Sequence, residues 1–479
     1  MTFRQRASTF EHPSRLALVL VLILIGRLVI VAEDDDASPA APRPHIVILL
    51  ADDLGWKDVG YHGGEIETPH IDRLAASGVR LEQLYVQPVC SPTRSSLLTG
   101  RYPIRQGLQV GVIRPFADYG LPLAERTLAQ ALKDAGYRTA ITGKWHLGLH
   151  APEFLPTRRG FDHQYGHYVG ALDYFTHMRN GGYDWHRDDK VLREEGYTTE
   201  LIGREAVRLI EVHDTEKAGP LFLYVPFNAP HTPLQAPERY IERYARIPNE
   251  RRRIYAAMVT CMDDAIGSIL AALEKKGMRR DTLVFFASDN GGPTGRQGAD
   301  NGSLRGRKGT LYEGGVRVPA IASWPARIAA GREYRGLLHI VDLYPTLLGY
   351  AGASREQELA LDGLDAGAAL ERGAPSPRSE ILHNLTPAQA ALRRGDWKIV
   401  VRGAHGRSIT EARTVELFNI AEDPGENRDV SGEHPEKVRE LLARLGEFER
   451  VAEPPKGGAA SPPSTFQVPE VWGEKETKP

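Results

Sequence analysis

A cysteine and an arginine, four residues apart, open one polar segment of the chain, Cys90-Ser-Pro-Thr-Arg94. The segment leads into Ser95-Ser-Leu-Leu-Thr-Gly-Arg101, and Pro92 suits the first turn of a helix, where a missing N–H costs little. At this spacing Cys90 and Arg94 share one helical face. A helix N-terminus with an arginine on that face favours an anion. The alternative interpretation is a structural cysteine near a helix cap.

Acidic and amide side chains follow two predicted strands. A short apolar, β-branched run at residues 44–50 predicts a buried parallel strand, and residues 281–287 predict another. The side chains directly after them are Asp52, Asp53, Asp289 and Asn290. A single aspartate after a strand often only caps a turn, but open α/β sheets place their chemistry at the carboxyl ends of strands. These oxygen ligands favour Ca²⁺ or Mg²⁺ over zinc, and the sequence leaves both open.

Cationic and proton-transferring side chains also follow predicted strands. Lys144 and His146 come after a strand at residues 138–142, and His231 comes after one at residues 220–227. Lys308 lies in a glycine-rich stretch that begins after Asp289. Together with Arg94, these groups would surround the metal. A divalent cation that is flanked by carboxylates and ringed by cations suits a tetrahedral oxyanion ester.

The order of the predicted elements indicates the fold class. Strands and helices alternate as far as about residue 350, with helices expected at residues 68–78, 123–136 and 338–350 and a strand at 79–86. This alternation predicts an α/β sandwich with a mostly parallel central sheet, the catalytic domain, over residues 44–350. Short strands and one amphipathic helix predict a small antiparallel subdomain over residues 376–452. Residues 453–479, rich in Pro, Gly and Lys, predict an extended or disordered tail.

The amino terminus has the pattern of a secretory signal. Arginines precede a long apolar run, and an imperfect cleavage site ends at Ala32. We therefore expect a signal peptide at residues 1–32, a polar linker at 33–43 and an exported, periplasmic or secreted protein. An uncleaved membrane anchor is the alternative, because the whole apolar stretch approaches the length needed to span a bilayer.

Composition excludes some function classes. The 479 residues carry 60 Lys plus Arg and 62 Asp plus Glu, a formal net charge of −2, so nothing indicates a nucleic-acid partner. The only cysteines are Cys90 and Cys261. Cys261 lies in an apolar pattern with helical spacing and is expected to be a small buried hydrophobic residue. The oligomeric state is left open.

Several motifs are those of a known enzyme family. The Cys90 segment resembles the signature of type I, formylglycine-dependent sulfatases, C-x-P-x-R followed by L-x-T-G-R, and Gly143–Gly148 resembles the second sulfatase signature. Gly55–Gly60, Leu155–Asp162 and Leu304–Lys308 look most like the arylsulfatase B, or N-acetylgalactosamine-4-sulfatase, group. The resemblance is strongest over residues 44–320. It implies an alkaline-phosphatase-like fold and the hydrolysis of sulfate esters in the degradation of glycosaminoglycans.

The resemblance also implies roles for single residues. In such sulfatases a maturase oxidises the cysteine to formylglycine, and the hydrated aldehyde attacks sulfur as a gem-diol. The implied ligands of Ca²⁺, or possibly of Mg²⁺, are Asp52, Asp53, formylglycine-90, Asp289 and Asn290. The implied catalytic and sulfate-contacting residues are Arg94, Lys144, His146, His231 and Lys308. His231 with Lys308 would protonate the leaving oxygen, and His146 would take a proton from the second hydroxyl.

The substrate implied by the resemblance is a sulfated sugar, with exo-acting cleavage of N-acetylgalactosamine 4-sulfate at the end of a glycosaminoglycan fragment. Residues 165–190 form an irregular aromatic stretch that differs from the family, in which Tyr174, Trp185 or His186 could stack on a sugar or bond to it. The alternative for this stretch is a packed loop whose rings face the core. Two alternatives stay open. One is a phosphodiesterase or phosphonate monoester hydrolase of the same superfamily, and the other is a glycan-binding pseudo-enzyme with unmodified Cys90.

Overall fold

A ten-stranded mixed sheet forms the centre of the computed structural model, which describes residues 43–404, 408–457 and 461–473. The strands, in chain order, are β1 His45–Ala51, β2 Val79–Leu81, β3 Leu84–Tyr85, β4 Arg138–Lys144, β5 His163–His167, β6 Met178–Arg179, β7 Gly182–Tyr183, β8 His186–Arg187, β9 Lys190–Val191, β10 Leu221–Pro226, β11 Thr282–Ser288, β12 Ala320–Ser323, β13 Arg332–Tyr334, β14 Leu338–His339, β15 Glu380–Leu385, β16 Gln389–Arg394, β17 Trp397–Arg402 and β18 Thr414–Asn419. The order in the large sheet is β13-β2-β12-β11-β1-β10-β4-β5-β8-β9.

Eleven α-helices occur in the described residues, and those that pack on the large sheet lie on both of its faces. The eleven are α1 Pro69–Ala76, α2 Cys90–Thr99, α3 Leu128–Asp134, α4 Thr198–Val212, α5 Thr215–Ala218, α6 Glu238–Ile241, α7 Glu250–Lys275, α8 Glu313–Val316, α9 Leu343–Ala351, α10 Gly367–Arg372 and α11 Pro435–Arg450. The central strands β11, β1, β10, β4 and β5 run parallel to one another, whereas β12, β8 and β9 pair antiparallel with their neighbours. The predicted fold class is therefore confirmed.

The sequence of β1 explains why it lies at the centre. All seven residues of His45–Ala51 are buried, as expected for a parallel strand that is covered on both faces. Because successive side chains point to opposite faces, Ile46, Ile48 and Leu50 pack with α2, α3 and α9 on one side. Val47, Leu49 and Ala51 pack with α4 and α7 on the other side. Two hydrophobic layers thus fix the position of the strand whose end carries Asp52.

Helix α7 is the longest helix of the second layer. Among the described residues it is the one helix that is long and apolar enough to cross a membrane, but 83% of its apolar window is buried inside the fold. It is a core helix, which explains its composition. Cys261 lies on it at 1% exposure, so its predicted role as a small buried hydrophobic residue is confirmed.

The carboxy-terminal region has a sheet of its own. Strands β15 to β18 form an antiparallel four-stranded sheet in sequential order, as predicted for this region. Helix α11 covers it through Leu441 and Leu445, which pack with Leu392, Ile399 and Leu417. Residues from Arg43 onward nevertheless form one compact unit. The described residues after Arg450 have no helix or strand, although Val471 forms an isolated bridge with Tyr183.

Some predicted elements differ from the observed ones. The strand expected at residues 79–86 is two strands, β2 and β3, that belong to different sheets. The helix expected at residues 338–350 begins only at Leu343, because β14 and a 3-10 turn come first. The helix expected at residues 123–136 is limited to α3, whose N-cap Thr127 forms a capping box with Gln130. The predicted signal peptide and nearly all of the predicted linker lie outside the described residues.

Candidate active site

Four neighbouring parallel strands bring the predicted site residues to one edge of the sheet. Asp52 directly follows β1, and Asp289 directly follows β11. Ala51 lies opposite Ser288, and the Asp289 N–H donates to the Ala51 carbonyl at 2.9 Å, so the two aspartates are neighbours. Lys144 is the last residue of β4, and His231 follows β10, which lies between β1 and β4. The convergence expected at the carboxyl ends of these strands is observed.

Cys90 is the first residue of α2, a helix whose residues are all buried. Its Sγ lies 3.5 Å from Asp52 Oδ1 and 3.4 Å from Lys308 Nζ. One turn later, Arg94 donates from Nη2 to Asp289 Oδ2 at 2.8 Å and from Nη1 to the Lys144 carbonyl at 3.0 Å. The helix therefore delivers a thiol and a guanidinium to the same side, as their spacing predicts.

Three cations face the three carboxylates. Lys144 pairs with Asp52, Lys308 Nζ lies 2.6 Å from Asp53 Oδ1, and Arg94 pairs with Asp289. With the charges balanced in this way, an added divalent cation would leave the centre positive, which suits an anionic ester.

The same charges shift the pKa values of the acids. Burial opposes the ionisation of Asp52, but the charges of Lys144 and His231 outweigh it and hold its pKa well below the usual value. Burial and the neighbouring Asp52 raise the pKa of Asp289 to about 7. Neighbouring carboxylates with such unequal proton affinities are typical of functional sites.

Two oxygen atoms support a metal site. Asp53 Oδ2 and Asn290 Oδ1 are buried and lack a hydrogen-bond partner within the described part of the chain. The Asn290 amide N–H donates to Asp53 Oδ1 at 2.7 Å, which orients both side chains. Asp53 also holds the left-handed backbone conformation, with φ 75°. Buried oxygen acceptors without donors fit a hard divalent cation such as Ca²⁺ or Mg²⁺.

His146 has a defined tautomer. Its Nε2 lies 3.0 Å from the Ile113 carbonyl, which can only accept, so Nε2 carries the proton and Nδ1 is left as an acceptor. No described residue bonds to that Nδ1. Gly170 packs so closely against the ring that a Cβ there would lie 2.5 Å from Cε1. Burial, and then the charge of Lys144, hold the pKa of His146 well below 6.5, so the ring is a neutral base.

A neighbouring backbone carbonyl orients the ring of His231. Its Nδ1 contacts the Thr232 carbonyl at 2.6 Å, which leaves Nε2 facing Asp53 Oδ2 at 3.7 Å. The Tyr174 O–H lies 2.6 Å from the Asn228 carbonyl and 2.7 Å from that of His231, and it fixes the turn. Burial, and then the charge of Lys308, lower the pKa of His231.

The Cys90 thiol itself is a poor nucleophile in this setting. Burial and the neighbouring Asp52 raise its pKa to about 12, although Lys144 and Lys308 oppose the shift. Because the thiolate is the reactive form of cysteine, the unmodified side chain is inert at neutral pH.

A cavity of about 290 Å³ opens onto these groups. Its lining includes Cys90, His146, His231, Lys308, Arg114 and Arg179. The first four were predicted as site residues. The two arginines were not, because neither stands in a motif or at the end of a predicted strand, and only the fold brings them to the cavity.

The aromatic prediction was wrong. Tyr174, Trp185 and His186 are 1%, 0% and 1% exposed, so none of them can stack on a sugar. Trp185 stacks on His177 with ring centroids 4.6 Å apart, and His186 stacks on Tyr168 at 4.3 Å. These rings form a core beneath the site instead of a binding surface. His186 lies in β8, whereas Tyr174 and Trp185 lie in connections between elements, where the irregular sequence has no period that indicates which way a side chain faces.

One of the family-like motifs is also structural. Within Leu155–Asp162, Arg159 is 2% exposed and donates to the carbonyls of Leu121, Pro122 and Glu125. Its guanidinium therefore secures the loop before α3 and does not face the cavity.

Comparisons with known proteins agree with this geometry. The family described as Sulfatase matches residues 44–353. Arylsulfatase J of Mus musculus is 39% identical over 490 aligned positions, which cover 91% of this chain and 81% of that protein. The chain belongs to the sulfatase family.

Further proteins are similar to this sulfatase in sequence or in fold. The N-acetylgalactosamine-6-sulfatase of Mus musculus is 33% identical, over 89% of this chain and 88% of that protein. The crystal structure of Ps i-CgsB in complex with k-i-k-neocarrahexaose is 32% identical, with a TM-score of 0.78 over 86% of this chain and 94% of that chain. The predicted family, alkaline-phosphatase-like fold and sulfate ester hydrolysis are confirmed. The grouping with 4-sulfatases stays a prediction.

Proposed function

We propose that the sulfatase cleaves a sulfated sugar with a nucleophile made from Cys90, and that its substrate is a terminal N-acetylgalactosamine 4-sulfate. The observation that carries the proposal is the position of Cys90 in the cavity wall, within 3.5 Å of Asp52 and of Lys308. A side chain at this position faces Asp52, an implied metal ligand, on one side and the Lys308 ammonium group on the other.

The inert thiol supports oxidation of Cys90 to formylglycine by a maturase. A thiol with a pKa of about 12 supplies almost no thiolate at neutral pH. The oxidised side chain would supply a hydroxyl that can attack sulfur and a second hydroxyl through which the aldehyde is restored. Asp52, Asp53, Asp289 and Asn290 would hold Ca²⁺ or Mg²⁺ beside it, and such a cation would stabilise charge on the sulfuryl oxygens.

The surrounding side chains then have distinct tasks. Lys144, Lys308 and Arg94 are fixed by their carboxylate partners and supply positive charge for the sulfuryl oxygens. His146 has a free Nδ1 and lines the cavity with Cys90, so it is the proposed base. His231 turns Nε2 toward the same centre, and in its protonated form it is, with Lys308, the proposed donor to the leaving sugar oxygen.

The size of the cavity supports recognition of a single terminal sugar. At about 290 Å³ it is at the small end of ligand sites. The motif Leu304–Lys308, which is similar to 4-sulfatases, contributes Lys308 directly to the site, whereas Leu155–Asp162 only supports the scaffold. A site built for one sulfate position should reject the other, because polar groups that face the sugar would be left unpaired.

Mass spectrometry and kinetics on one preparation test the proposal. The protein is produced with a maturase, the Cys90 peptide is weighed, and kcat/KM is measured on N-acetylgalactosamine 4-sulfate, on its 6-sulfate and on 4-nitrophenyl sulfate. We expect a peptide lighter by about 18 Da, because an aldehyde oxygen replaces SH and H, and a preference for the 4-sulfate. Equal activity of protein with an unmodified thiol would contradict the proposed nucleophile. A preference for the 6-sulfate would contradict the proposed substrate.

The same assay separates the alternatives. A phosphonate monoester hydrolase or phosphodiesterase would prefer phosphate or phosphonate esters to the matching sulfates. A glycan-binding pseudo-enzyme would keep Cys90 as a thiol, bind the sugar and turn over none of these esters. Exhaustive chelation should abolish turnover if Asp52, Asp53, Asp289 and Asn290 hold a metal, and Asp289→Ala should do the same while the protein stays folded.

Export also remains a proposal. The sequence of residues 1–32 supports a cleaved signal peptide, and amino-terminal sequencing of the protein from its natural compartment tests it. Retention of the apolar segment in a membrane fraction would favour the anchor instead.

A further inference from the structure

Two arginines lie in the cavity wall beside the catalytic centre without a role in the proposed chemistry. Arg114 is exposed, Arg179 is half-buried, and both line the cavity that contains Cys90. They belong to different parts of the chain, a loop before α3 and the strand β6.

Neither arginine is neutralised within the part of the chain that the structure describes. Arg94 is bound to Asp289, whereas no described carboxylate lies within ion-pair distance of Arg114 or Arg179. Asp118 lines an adjoining cavity with Arg114 but does not pair with it. The two guanidiniums also influence each other, because burial and then the charge of Arg114 lower the pKa of Arg179. Like charges held together without an acid favour an external anion.

The loop of Arg114 is tied to the catalytic residues. The Ile113 N–H donates to Ser91 Oγ at 3.1 Å, next to Cys90 in the chain, and the Ile113 carbonyl contacts His146 Nε2 at 3.0 Å. Ser91 Oγ in turn donates to the His146 carbonyl at 3.0 Å. The backbone that carries Arg114 therefore keeps a fixed distance from the reacting group.

The hairpin of Arg179 is held from the opposite side by the carboxy-terminal segment. The Trp472 indole N–H donates to the Arg179 carbonyl at 2.9 Å, and the Trp472 backbone N–H donates to the Tyr183 carbonyl at 2.9 Å. The Tyr183 N–H donates to the Glu470 carbonyl at 2.9 Å. A buried tryptophan thus fixes the strand that carries the second guanidinium.

We propose that Arg114 and Arg179 bind a second oxyanion of the substrate, a carboxylate or a sulfate carried close to the sulfate ester that is cleaved. The inference rests on the proposed function and adds a specificity determinant to it. Lys144, Lys308 and Arg94 already supply positive charge for the sulfate ester that is cleaved, so the two arginines without an acidic partner among the described residues are available for a second anion. Guanidinium groups suit carboxylate and sulfate alike, because both offer two oxygens to one fork.

The test compares three substrates that carry, respectively, no second anion, a carboxylate and a second sulfate. They are N-acetylgalactosamine 4-sulfate, the same sugar linked to a uronic acid, and N-acetylgalactosamine 4,6-disulfate. We expect the wild-type sulfatase to show a higher kcat/KM on one of the two dianionic substrates, and that substrate identifies the anion. The preference is the ratio of kcat/KM on the preferred dianionic substrate to kcat/KM on the monoanionic substrate. Arg114→Gln and Arg179→Gln should each reduce this ratio by about tenfold to a hundredfold. Arg179→Lys should retain part of the preference.

Arg73→Gln is the matched control, because Arg73 is an exposed arginine on α1 without an ion pair among the described residues. It should leave the ratio unchanged. Equal losses on all three substrates, or a ratio that the two glutamine variants do not alter, would overturn the inference and leave the sulfatase assignment intact.

A binding measurement separates this inference from the proposed function. Two ligands lack the 4-sulfate ester, so their Kd does not depend on its turnover: the unsulfated uronic acid disaccharide keeps the carboxylate, and N-acetylgalactosamine 6-sulfate keeps the second sulfate. We expect Arg114→Gln and Arg179→Gln to weaken the binding of at least one of these ligands by about tenfold or more. Unchanged binding of both ligands in both variants would overturn the inference even if the wild type hydrolysed none of the three esters, a result that would itself reject the proposed substrate.

Discussion

At the scale of single residues, one carbonyl sets the tautomer of His146 and one glycine sets the position of its ring. The Ile113 carbonyl fixes the proton on Nε2, and the missing side chain of Gly170 leaves room for the ring. The sequence predicted His146 from its place after a strand. It did not predict Ile113 or Gly170, because a backbone carbonyl and an absent Cβ leave no pattern in a sequence. The same holds for Arg114 and Arg179, which meet only in the folded chain.

Gly170→Ala should reduce kcat by about a hundredfold if His146 is the base, as proposed, because a displacement of a reacting group by about an ångström has an effect of that size. The new Cβ would lie 2.5 Å from His146 Cε1, so the ring must move. The measurement is kcat on 4-nitrophenyl sulfate together with the Tm. Gly432→Ala, at a site with no neighbour within 4 Å, is the control and should have no effect. Full activity of Gly170→Ala would show that the ring position is not critical.

The pH dependence should follow from the low pKa of His146. A base must be unprotonated to act, and burial together with Lys144 holds this pKa well below 6.5. Activity should therefore persist as the pH falls through 6.5 and decline only below it. The profile of kcat/KM between about pH 4 and pH 8 checks this expectation. An acidic limb centred at or above pH 6.5 would contradict it.

At the scale of elements, the sequence predicted the strands that carry the site and missed those that surround it. Strands β1, β4, β10 and β11 are long apolar runs, and such runs have a pattern that can be read. Strands β6 to β9 have two residues each, which is too short for any periodicity. The docking of Trp472 was missed for a related reason, since its partners in the hairpin lie almost 300 positions earlier in the chain.

Trp472→Ala should loosen the hairpin of β6 and β7. Trp472 is 2% exposed and bonds to the carbonyls of Arg179 and Tyr183. We expect a higher KM for the preferred dianionic substrate than in the wild type, with a smaller change on 4-nitrophenyl sulfate, and the loss of a large buried ring should also cost about 3–5 kcal/mol of stability. Steady-state kinetics and thermal unfolding measure both.

Val468→Ala is the control for this variant, because Val468 lies in the same segment but is 42% exposed. It should change neither quantity by much. Trp472→Phe keeps most of the packing and removes only the indole N–H, so it separates the hydrogen bond from the burial. If Trp472→Ala lowered Tm without changing KM on either substrate, the segment would support the fold alone.

At the scale of the whole molecule, a buried ion cluster joins the carboxy-terminal sheet to the catalytic body. Lys398 of β17 is fully buried, and its Nζ lies 2.9 Å from Glu313 Oε1 and 2.9 Å from Glu426 Oε1. Glu313 begins α8, five residues after Lys308 in the chain, and its other oxygen accepts from Tyr85 at 2.7 Å. The boundary between the two sheets thus lies five residues along the chain from Lys308, the lysine that is proposed to act in the site. The sequence indicated two subdomains but not the charges between them.

Lys398→Met should destabilise the protein by about 3–5 kcal/mol, because it leaves two carboxylates buried with no lysine between them. It should also lower activity through Lys308. Chemical denaturation and kcat measure the two effects. Lys437→Met is the matched control, since that lysine pairs with Glu440 on the surface of α11 and should contribute at most about 1 kcal/mol. Equal stability of the two variants would show that the cluster is not required.

The burial of α2 has a consequence for the order of events during biosynthesis. Every residue from Cys90 to Thr99 is enclosed by the finished fold. An enzyme that oxidises Cys90, as proposed above, needs access to its side chain, and the folded chain keeps that side chain buried. The proposed oxidation would then take place before this part of the chain has folded. In that case the fraction of active protein would depend on the relative rates of oxidation and folding.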